Sequence, residues 1–167
     1  FKCDWSSDVC SSDLYCWGEN NYGQLGVGNT SSGLWAYSPS QTLIPEGRTA
    51  SAISTGYEHA CAVLDDNSIV CWGSNGDYQL GDGTGTSRSS PVYVASSGSG
   101  NESIYRYNSV VTSNEYTCAI STDNTAYCWG YNAHQRLGNS SRTSWHNYNT
   151  PGEVSIPISR SVMGISL

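Results

Sequence analysis

The chain has 167 residues, with 7 Lys and Arg against 14 Asp and Glu, which gives a net charge of −7. The basic residues are scattered, and this argues against nucleic-acid binding, because that function needs Lys and Arg grouped against the phosphates. No apolar run is long enough to span a membrane. The abundance of Gly, Ser, Asn, Thr and Tyr favours short strands and turns over helices.

The first segment, residues 1–14, stands apart from the rest of the chain. Residues 4–14 read DWSSDVCSSDL, which resembles the in-frame translation of a common sequencing-library adapter. A segment of that origin is left out of fold reasoning. We therefore expect residues 1–14 to be a disordered, non-native head in which Cys3 and Cys10 have no structural role; a divergent natural N-terminus is the alternative.

From residue 15 onward the sequence repeats. Cys-Trp-Gly occurs three times, with Trp-to-Trp steps of 55 and 57 residues, and each copy is followed by an Asn and then by a Leu-Gly pair. Self-similarity at a long period indicates a repeat architecture, here with repeats at about 15–60, 61–117 and 118–167. The structural positions that the copies share are Trp17, Gly18, Leu25, Gly26, Trp72, Gly73, Leu80, Gly81, Trp129, Gly130, Leu137 and Gly138.

The second and third copies each contain a hairpin with a cysteine at either end. Cys61 and Cys71 flank two apolar runs around a polar turn at 65–67, and Cys118 and Cys128 have the same spacing. In such a hairpin the two cysteines lie opposite each other, within disulfide range. We predict disulfides Cys61–Cys71 and Cys118–Cys128, and hence an oxidising compartment. Buried thiols in a cytosolic protein are the alternative.

The first copy departs from this pattern. Ten residues before Cys16 the chain has Ser6, which lies inside the adapter-like stretch. Cys16 is therefore expected to have lost its mate, and native sequence is expected to resume near Tyr15.

The alternation of side chains between the two faces of each hairpin predicts how the hairpins pack. In the second hairpin both faces of the strands are apolar, so both need cover from neighbouring layers. Further strands are predicted before each hairpin and beyond Pro39, Pro91 and Pro151. About four short strands per repeat, stacked sheet on sheet, describe the blades of a propeller.

These motifs resemble the regulator of chromosome condensation repeat family. The resemblance rests on EHACA at 58–62, CWGSN at 71–75, QLGDGT at 79–84, PV at 91–92 and WGENNYGQLGVG at 17–28. It implies an all-β fold: an incomplete β-propeller of this type, with fewer than three blades of about four antiparallel strands each. Since such propellers have about seven blades, the chain is expected to be an internal fragment. Some equivalent positions differ between the copies. The position of Gly23 is Tyr78 and Gln135 in the other two copies, that of Gln24 is Arg136 in the third, that of Gly28 is Ser140, and that of His59 is Tyr116.

No motif in the sequence predicts catalysis. His59, His134 and His146 occupy different positions of the repeat, and His59 is expected to be a packing residue. Asp77 and Asp82 do not fit the spacing of a calcium loop and are expected to be turn residues. We predict no enzyme activity, no metal site and no cofactor.

The candidate binding residues are aromatic side chains in the loops before two of the prolines. They are Trp35 and Tyr37 in the first copy, and Trp145, His146 and Tyr148 in the third. Aromatic side chains on loops are efficient contacts for proteins or sugars. The alternative is that they fold back over the edge of the blade.

The sequence thus favours a non-enzymatic scaffold for protein–protein interaction, part of a larger secreted or cell-surface protein. Its location is expected to be extracellular, cell-surface or periplasmic, and its partner a protein. The alternatives are nucleotide exchange on a small GTPase with chromatin association, which the resemblance implies, and a carbohydrate-binding module that uses the loop aromatics. The acidic balance and the paired cysteines speak against the nuclear role.

Overall fold

The computed structural model describes residues 1–5, 14–30, 36–95, 106–141, 146–156 and 164–165. The described residues form eleven strands and one short 3₁₀ turn, Ala133–Gln135. The strands are β1 (Lys2–Trp5), β2 (Leu14–Gly18), β3 (Ala36–Gln41), β4 (Ala50–Thr55), β5 (His59–Leu64), β6 (Ile69–Gly73), β7 (Arg88–Tyr93), β8 (Tyr107–Thr112), β9 (Tyr116–Ser121), β10 (Ala126–Gly130) and β11 (Tyr148–Glu153).

The strands form three antiparallel sheets that follow one another along the chain. The first sheet has the order β1-β2-β3, the second β4-β5-β6-β7 and the third β8-β9-β10-β11. Each sheet is therefore a meander of sequential strands. The sequence repeats are offset from the sheets by one strand: the repeat at 15–60 includes β4, yet β4 pairs with β5 and belongs to the second sheet. The repeat boundaries followed the cysteines, whereas backbone pairing defines the sheets.

The hairpin register predicted from the cysteine spacing is confirmed. Cys61 lies opposite Cys71, and Val63 lies opposite Ile69. The turn is closed by a hydrogen bond from the Leu64 amide to the Ser68 carbonyl, 2.8 Å long. Within it Asn67 takes a positive φ of 64°, a left-handed conformation that Asn tolerates better than most residues.

The last strand of each sheet contains a proline beside an irregularity in pairing. In the second sheet the register shifts between Cys71 and Gly73, and Pro91 lies in the facing segment of β7. The other two sheets repeat this arrangement around Pro39 and Pro151. Proline has no amide hydrogen to donate, so it fits an edge strand at a bulge. These edges are thereby less open to pairing with another chain.

Most of the hydrophobic core lies in the two seams between consecutive sheets. We call the interface of the first and second sheets the first seam, and that of the second and third sheets the second seam. The buried residues of the first seam are Leu14, Cys16, Leu25, Ala50, Ala60, Ala62, Leu64, Val70 and Trp72. Those of the second seam are Cys61, Val63, Ile69, Cys71, Leu80, Val94, Tyr107, Val110, Ala119, Tyr127 and Trp129. The second sheet is thus covered on both faces, as its apolar strands predicted.

The sheets have two distinct ends. At one end lie the hairpin turns at 65–68 and 122–125; we call it the turn end. At the other lie the short connections at 56–58 and 113–115 and the long segments that join β2 to β3, β6 to β7 and β10 to β11. We call this the loop end. In propellers and other stacked scaffolds, connections of this kind carry binding residues.

Candidate functional site

The hairpins β5–β6 and β9–β10 are each closed by a disulfide. Cys61 bonds to Cys71 and Cys118 bonds to Cys128, and in both pairs the Cα atoms lie 4.1 Å apart. All four cysteines are buried, with at most 4% of their surface exposed. The disulfides predicted from equal spacing are therefore present in the structure. Cys61–Cys71 lies in the second seam, and Cys118–Cys128 packs with Leu137 on the other face of the third sheet.

The structure also supplies a mate for Cys16. Residues 2–5 form β1, which pairs with β2 so that Cys3 lies opposite Cys16 and bonds to it. The expectations that Cys16 had lost its mate and that Cys3 had no role are wrong, because the hairpin register, not a fixed step of ten residues, decides which cysteines meet. Residues 2–5, which were expected to be disordered, form β1. The foreign origin of residues 4–14 stays a prediction, and Cys10 lies outside the described residues.

The tryptophans of the second and third Cys-Trp-Gly motifs each join one sheet to the one before it. Trp72 Nε1 donates to the Gln24 carbonyl at 2.9 Å, and Trp129 Nε1 donates to the Gln79 carbonyl at 3.0 Å. Both rings are fully buried. We call the Gln-Leu-Gly segment that receives the ring the notch. Sequence reasoning identified both motifs as structural but missed that one binds the other, because the partners are about fifty residues apart.

The notch requires glycine at its third position. A Cβ on Gly26 would lie 2.9 Å from Trp72 Nε1, and a Cβ on Gly81 would lie 2.5 Å from Trp129 Nε1. These distances are shorter than van der Waals contact. Both glycines also have positive φ, 69° and 67°, a region that residues with a Cβ rarely enter. The Leu-Gly pair is therefore a docking surface for an indole ring.

The second seam contains a buried chain of two hydrogen bonds. His59 Nε2 lies 2.9 Å from the hydroxyl of Thr117, and that hydroxyl donates to the Gln79 carbonyl at 2.8 Å. Since the Thr117 proton points to Gln79, His59 Nε2 carries the hydrogen and donates to Thr117. Burial lowers the pKa of His59 to about 3, from 6.5. His59 is therefore a neutral packing residue, in line with the role that the sequence predicted.

Asp82 is committed to a hydrogen-bond network inside the second sheet's long connection. Its carboxylate accepts from Asn75 Nδ2, from the Thr84 amide and from Arg88 Nε, at 2.9–3.1 Å. Arg88 also forms an ion pair with it at 2.9 Å. The carboxylate is thus engaged in organising a turn. Among the described residues, no group of three or more potential metal ligands comes together.

The candidate binding aromatics divide into two kinds. Tyr37 is the second residue of β3, at the loop end, and 91% of its surface is exposed. Tyr148, in contrast, is half-buried against the cysteine-lined face of the third sheet, while His146 is exposed. Trp35 and Trp145 lie outside the described residues. The structure therefore brings Tyr37 out toward solvent and packs Tyr148 against its sheet.

The third sheet's connection is tied back to the second sheet. Asn147 Nδ2 donates to Asp77 at 2.9 Å. Asn149 and Gly83 exchange two hydrogen bonds, of 2.9 and 2.8 Å. These bonds fix the segment that leads into β11 across the second seam. They support the alternative in which this part of the loop folds over the blade edge.

The loop end also carries carboxylates that sequence reasoning did not single out. Glu58 precedes β5, and its pKa is raised by partial burial and by the nearby Glu19, with a hydrogen bond from Ser74 acting in the opposite direction. Glu19 follows β2 in the first sheet, so the loop end brings together negative charges from adjacent sheets. Only tertiary packing places them side by side.

Consecutive four-stranded antiparallel meanders, stacked face to face and joined by a repeated tryptophan contact, define a β-propeller. The described part is an incomplete propeller, with two four-stranded blades and a three-stranded sheet before them. The regulator of chromosome condensation (RCC1) repeat model matches residues 11–63 and 66–120, and a second model of this repeat matches 50–79 and 108–136. The chain belongs to the RCC1 repeat family.

Individual relatives are similar over part of their length. The ultraviolet-B receptor UVR8 of Arabidopsis thaliana is 38% identical over 81 residues, 48% of this chain and 18% of the receptor. The human E3 ubiquitin-protein ligase HERC2 is 34% identical over 85 residues, 51% of this chain and 2% of the ligase. The chain thus spans less than a fifth of either relative.

A solved structure confirms the fold. The crystal structure of Prp20p from Saccharomyces cerevisiae, described together with its binding to Gsp1p and histones, superposes with a TM-score of 0.74 at 18% identity. The match covers 88% of this chain and 35% of Prp20p. At this identity the likeness establishes the propeller architecture.

Proposed function

We propose that this chain is part of a non-enzymatic propeller scaffold that binds another protein through its loop end and works in an oxidising compartment. Extracellular, cell-surface and periplasmic locations all meet that condition. The observation that carries the location is the set of three disulfides across the hairpins β1–β2, β5–β6 and β9–β10, since such bonds persist where thiols are not kept reduced.

Tyr37 carries the proposal for the binding end. A tyrosine exposed over 91% of its surface offers a large, rigid contact at low entropic cost. It lies at the end of the sheets that bears the long connections, where Glu19 and Glu58 add negative charge. In the described residues, no helix is long and apolar enough to cross a membrane.

Site-specific photo-crosslinking tests the binding end. A photoreactive residue replaces Tyr37 at the loop end, and a matched variant replaces Tyr93, which is 47% exposed at the turn end. We expect a defined protein adduct from position 37 in native extracts and none from position 93. Equal labelling at both positions, or adducts from position 93 alone, would contradict the assignment of the loop end.

Alkylation before and after reduction tests the compartment. In protein from its native source, Cys61, Cys71, Cys118 and Cys128 should react with an alkylating agent only after reduction, as read by mass spectrometry. Labelling of these thiols without reduction would favour the intracellular alternative.

In that alternative the chain has a nuclear role, and its partner is of the kind that Prp20p binds, namely Gsp1p or histones. We favour the oxidising compartment because the chain is acidic and its hairpins are cross-linked. Carbohydrate binding depended on Trp35 and Trp145, which lie outside the described residues, and no described residue adds support to it.

A further inference from the structure

The segment 139–141 lies in the connection between β10 and β11 and reads Asn-Ser-Ser. Asn-x-Ser/Thr, with any residue but Pro in the middle, is the acceptor sequence for N-linked glycosylation of secreted proteins. The motif alone has little weight, because Asn, Ser and Thr are abundant in this chain. Its exposure, its hydrogen bonds and its place beside an edge strand give it more.

The exposure of this segment does not depend on its place in the last described sheet. In 139–141 a half-buried asparagine precedes two exposed serines. The equivalent segments 27–29 and 82–84 have the same pattern of one half-buried and two exposed residues. They retain it although the amides of Gly28 and Gly83 bond to the sheet that follows, at 2.7 and 2.9 Å. A following sheet therefore leaves these three positions accessible to solvent.

The first and third residues of the motif are held together by hydrogen bonds. Ser141 Oγ donates to Asn139 Oδ1 at 2.6 Å, and the Ser141 amide donates to the same oxygen at 2.9 Å. The acceptor sequence requires an amide at its first position and a hydroxyl at its third. In this loop the required hydroxyl lies directly against the required amide.

The second copy shows which part of this arrangement belongs to the fold. There Asp82 takes the place of Asn139, and Thr84 donates to its carboxylate through its amide and its hydroxyl, at 2.9 and 2.7 Å. Asp82 also accepts hydrogen bonds from Arg88 and Asn75. The turn is thus a feature of the repeat, and it forms around a carboxylate that has no nitrogen to receive a sugar. The third copy has the same turn around an amide.

The side chain of Asn139 has room for a sugar without losing its contact with the sheet. Its Nδ2 donates to the Glu153 carbonyl at 2.6 Å. A side-chain amide has two hydrogens, so the second is available for replacement by a glycosidic bond. Glu153 is the last residue of β11 and lies opposite Tyr127, whereas the strand begins at the loop end with Tyr148 opposite Gly130. A sugar on Asn139 would therefore lie near the end of β11 that is remote from the loop end.

We propose that Asn139 is N-glycosylated, with an oligosaccharide transferred from a lipid-diphosphate donor in the secretory pathway of a eukaryotic cell. Nδ2 bonds to the anomeric carbon of the first sugar while the bond from that carbon to the phosphate oxygen breaks. The lipid diphosphate leaves, and Nδ2 loses one proton to a base of the transferring enzyme. The inference rests on the oxidising compartment proposed for this chain. A glycan here adds bulk beside an edge strand, where pairing with another chain is a hazard, and leaves the loop end open to a protein partner.

Peptide mapping of protein from its native source tests the proposal. Peptide-N-glycosidase in heavy-oxygen water converts a glycosylated asparagine into isotope-labelled aspartate. Trypsin then cleaves after Arg136 and Arg142 and releases a peptide, 137–142, in which Asn139 is the only asparagine. We expect labelled aspartate at position 139. Recovery of this peptide with unlabelled asparagine throughout would overturn the proposal.

Variants of the full chain, secreted from cultured eukaryotic cells, separate the acceptor motif from the turn. Ser141→Ala should abolish the modification, and Ser141→Thr should retain it because the hydroxyl is kept. Ser140→Ala is the matched control, since it removes an exposed hydroxyl from the neighbouring residue and leaves the motif intact. Modification of Ser141→Ala, or its loss in Ser140→Ala, would contradict the assignment.

Asn139→Asp distinguishes loss of the acceptor from loss of folding. It reproduces the arrangement around Asp82, so it should keep the turn and the circular dichroism spectrum of the wild type while losing the glycan. Thiol labelling of the same native material keeps this inference separate from the compartment on which it rests. Closed disulfides with an unmodified Asn139 would overturn the glycosylation site alone, whereas free thiols at Cys61 and Cys71 would overturn the compartment.

Discussion

The two seams of this protein share one anchor and differ in what surrounds it. Each buries a tryptophan whose Nε1 bonds to the preceding sheet, at 2.9 Å in the first seam and 3.0 Å in the second. Beside that anchor the first seam has Phe1 and Ala60 among its apolar side chains. The second seam has the hydrogen-bonded pair His59 and Thr117 at the corresponding strand positions.

The difference shows which part of the repeat is obligatory and which part is adjustable. The tryptophan and the notch are geometric requirements, because a Cβ on the notch glycine collides with the ring. The pair of side chains beside them differs between the seams: it is apolar in the first seam, and in the second it is joined by a hydrogen bond. A polar pair makes its seam sensitive to protonation, and an apolar pair does not.

The largest loss of stability is expected on removing a buried tryptophan, and comparing the two seams tests whether their tryptophans are equivalent. Trp72→Ala and Trp129→Ala should each destabilise the protein by about 3–5 kcal/mol, the range for removing a buried tryptophan. Urea unfolding monitored by circular dichroism measures the loss. Trp17→Ala is the control, and should cost far less because Trp17 is only partly buried. A large difference between Trp72 and Trp129 would mean that the surrounding pair, not the anchor, holds the seam together.

Removing a disulfide from each seam comes next in size. Cys61→Ala with Cys71→Ala, and Cys3→Ala with Cys16→Ala, should each cost about 3 kcal/mol, because the closed loops are of similar length. The sequence separations are 10 and 13 residues. Differential scanning calorimetry of the oxidised variants gives both values. If one pair matters much more, the seam into which it packs depends on it for more than chain closure.

We expect acid to weaken the second seam, which contains His59, more than the first. The pKa of His59 is about 3 in the folded protein and about 6.5 when unfolded, so the unfolded chain binds the proton first. His59 therefore contributes stability that is complete above pH 6.5 and is lost as the pH falls toward 3. The expected loss between pH 7 and pH 5 is about 2 kcal/mol. Urea midpoints at the two pH values measure it.

The control for this loss converts the second seam to the chemistry of the first. His59→Phe combined with Thr117→Ala should remove most of the pH dependence in this window. Asp66 and Asp123 have lowered pKa values and therefore act below this window, whereas Glu58 has a raised pKa and so changes stability in the direction opposite to His59. An unchanged slope in the double variant would show that His59 is not the titrating group.

The smallest effect is expected away from both seams. Arg48 lies at the turn end, 3.5 Å from Asp65 and 3.4 Å from Asp66, with about 40% of its side chain exposed. Arg48→Ala should destabilise the protein by less than about 1 kcal/mol, and less still in high salt. Thermal unfolding at two salt concentrations measures this. A loss comparable to that of an anchor would show that the turn end supports the seams.

Much of the fold could be predicted from the chain because its determinants are local. Alternation around the turn at 65–67 set the pairing of Cys61 with Cys71, and the repeated Cys-Trp-Gly and Leu-Gly motifs indicated stacked blades. The mate of Cys16 was missed because the first hairpin has a longer span than the other two. Among the candidate site residues, Tyr37 could be recognised as a loop aromatic, but not its exposure.

What the sequence determined by itself is the repeated unit: short strands of apolar alternation, a hairpin closed by cysteines, and glycines where the backbone must turn left-handed. What only the tertiary structure decided is how the units meet. Trp72 finds the Gln24 carbonyl, His59 finds Thr117 and Glu58 approaches Glu19 across distances of 39 to 58 residues along the chain. The physical reason is that strand alternation and turns act between near neighbours, whereas a seam forms only when two finished sheets bury a common surface.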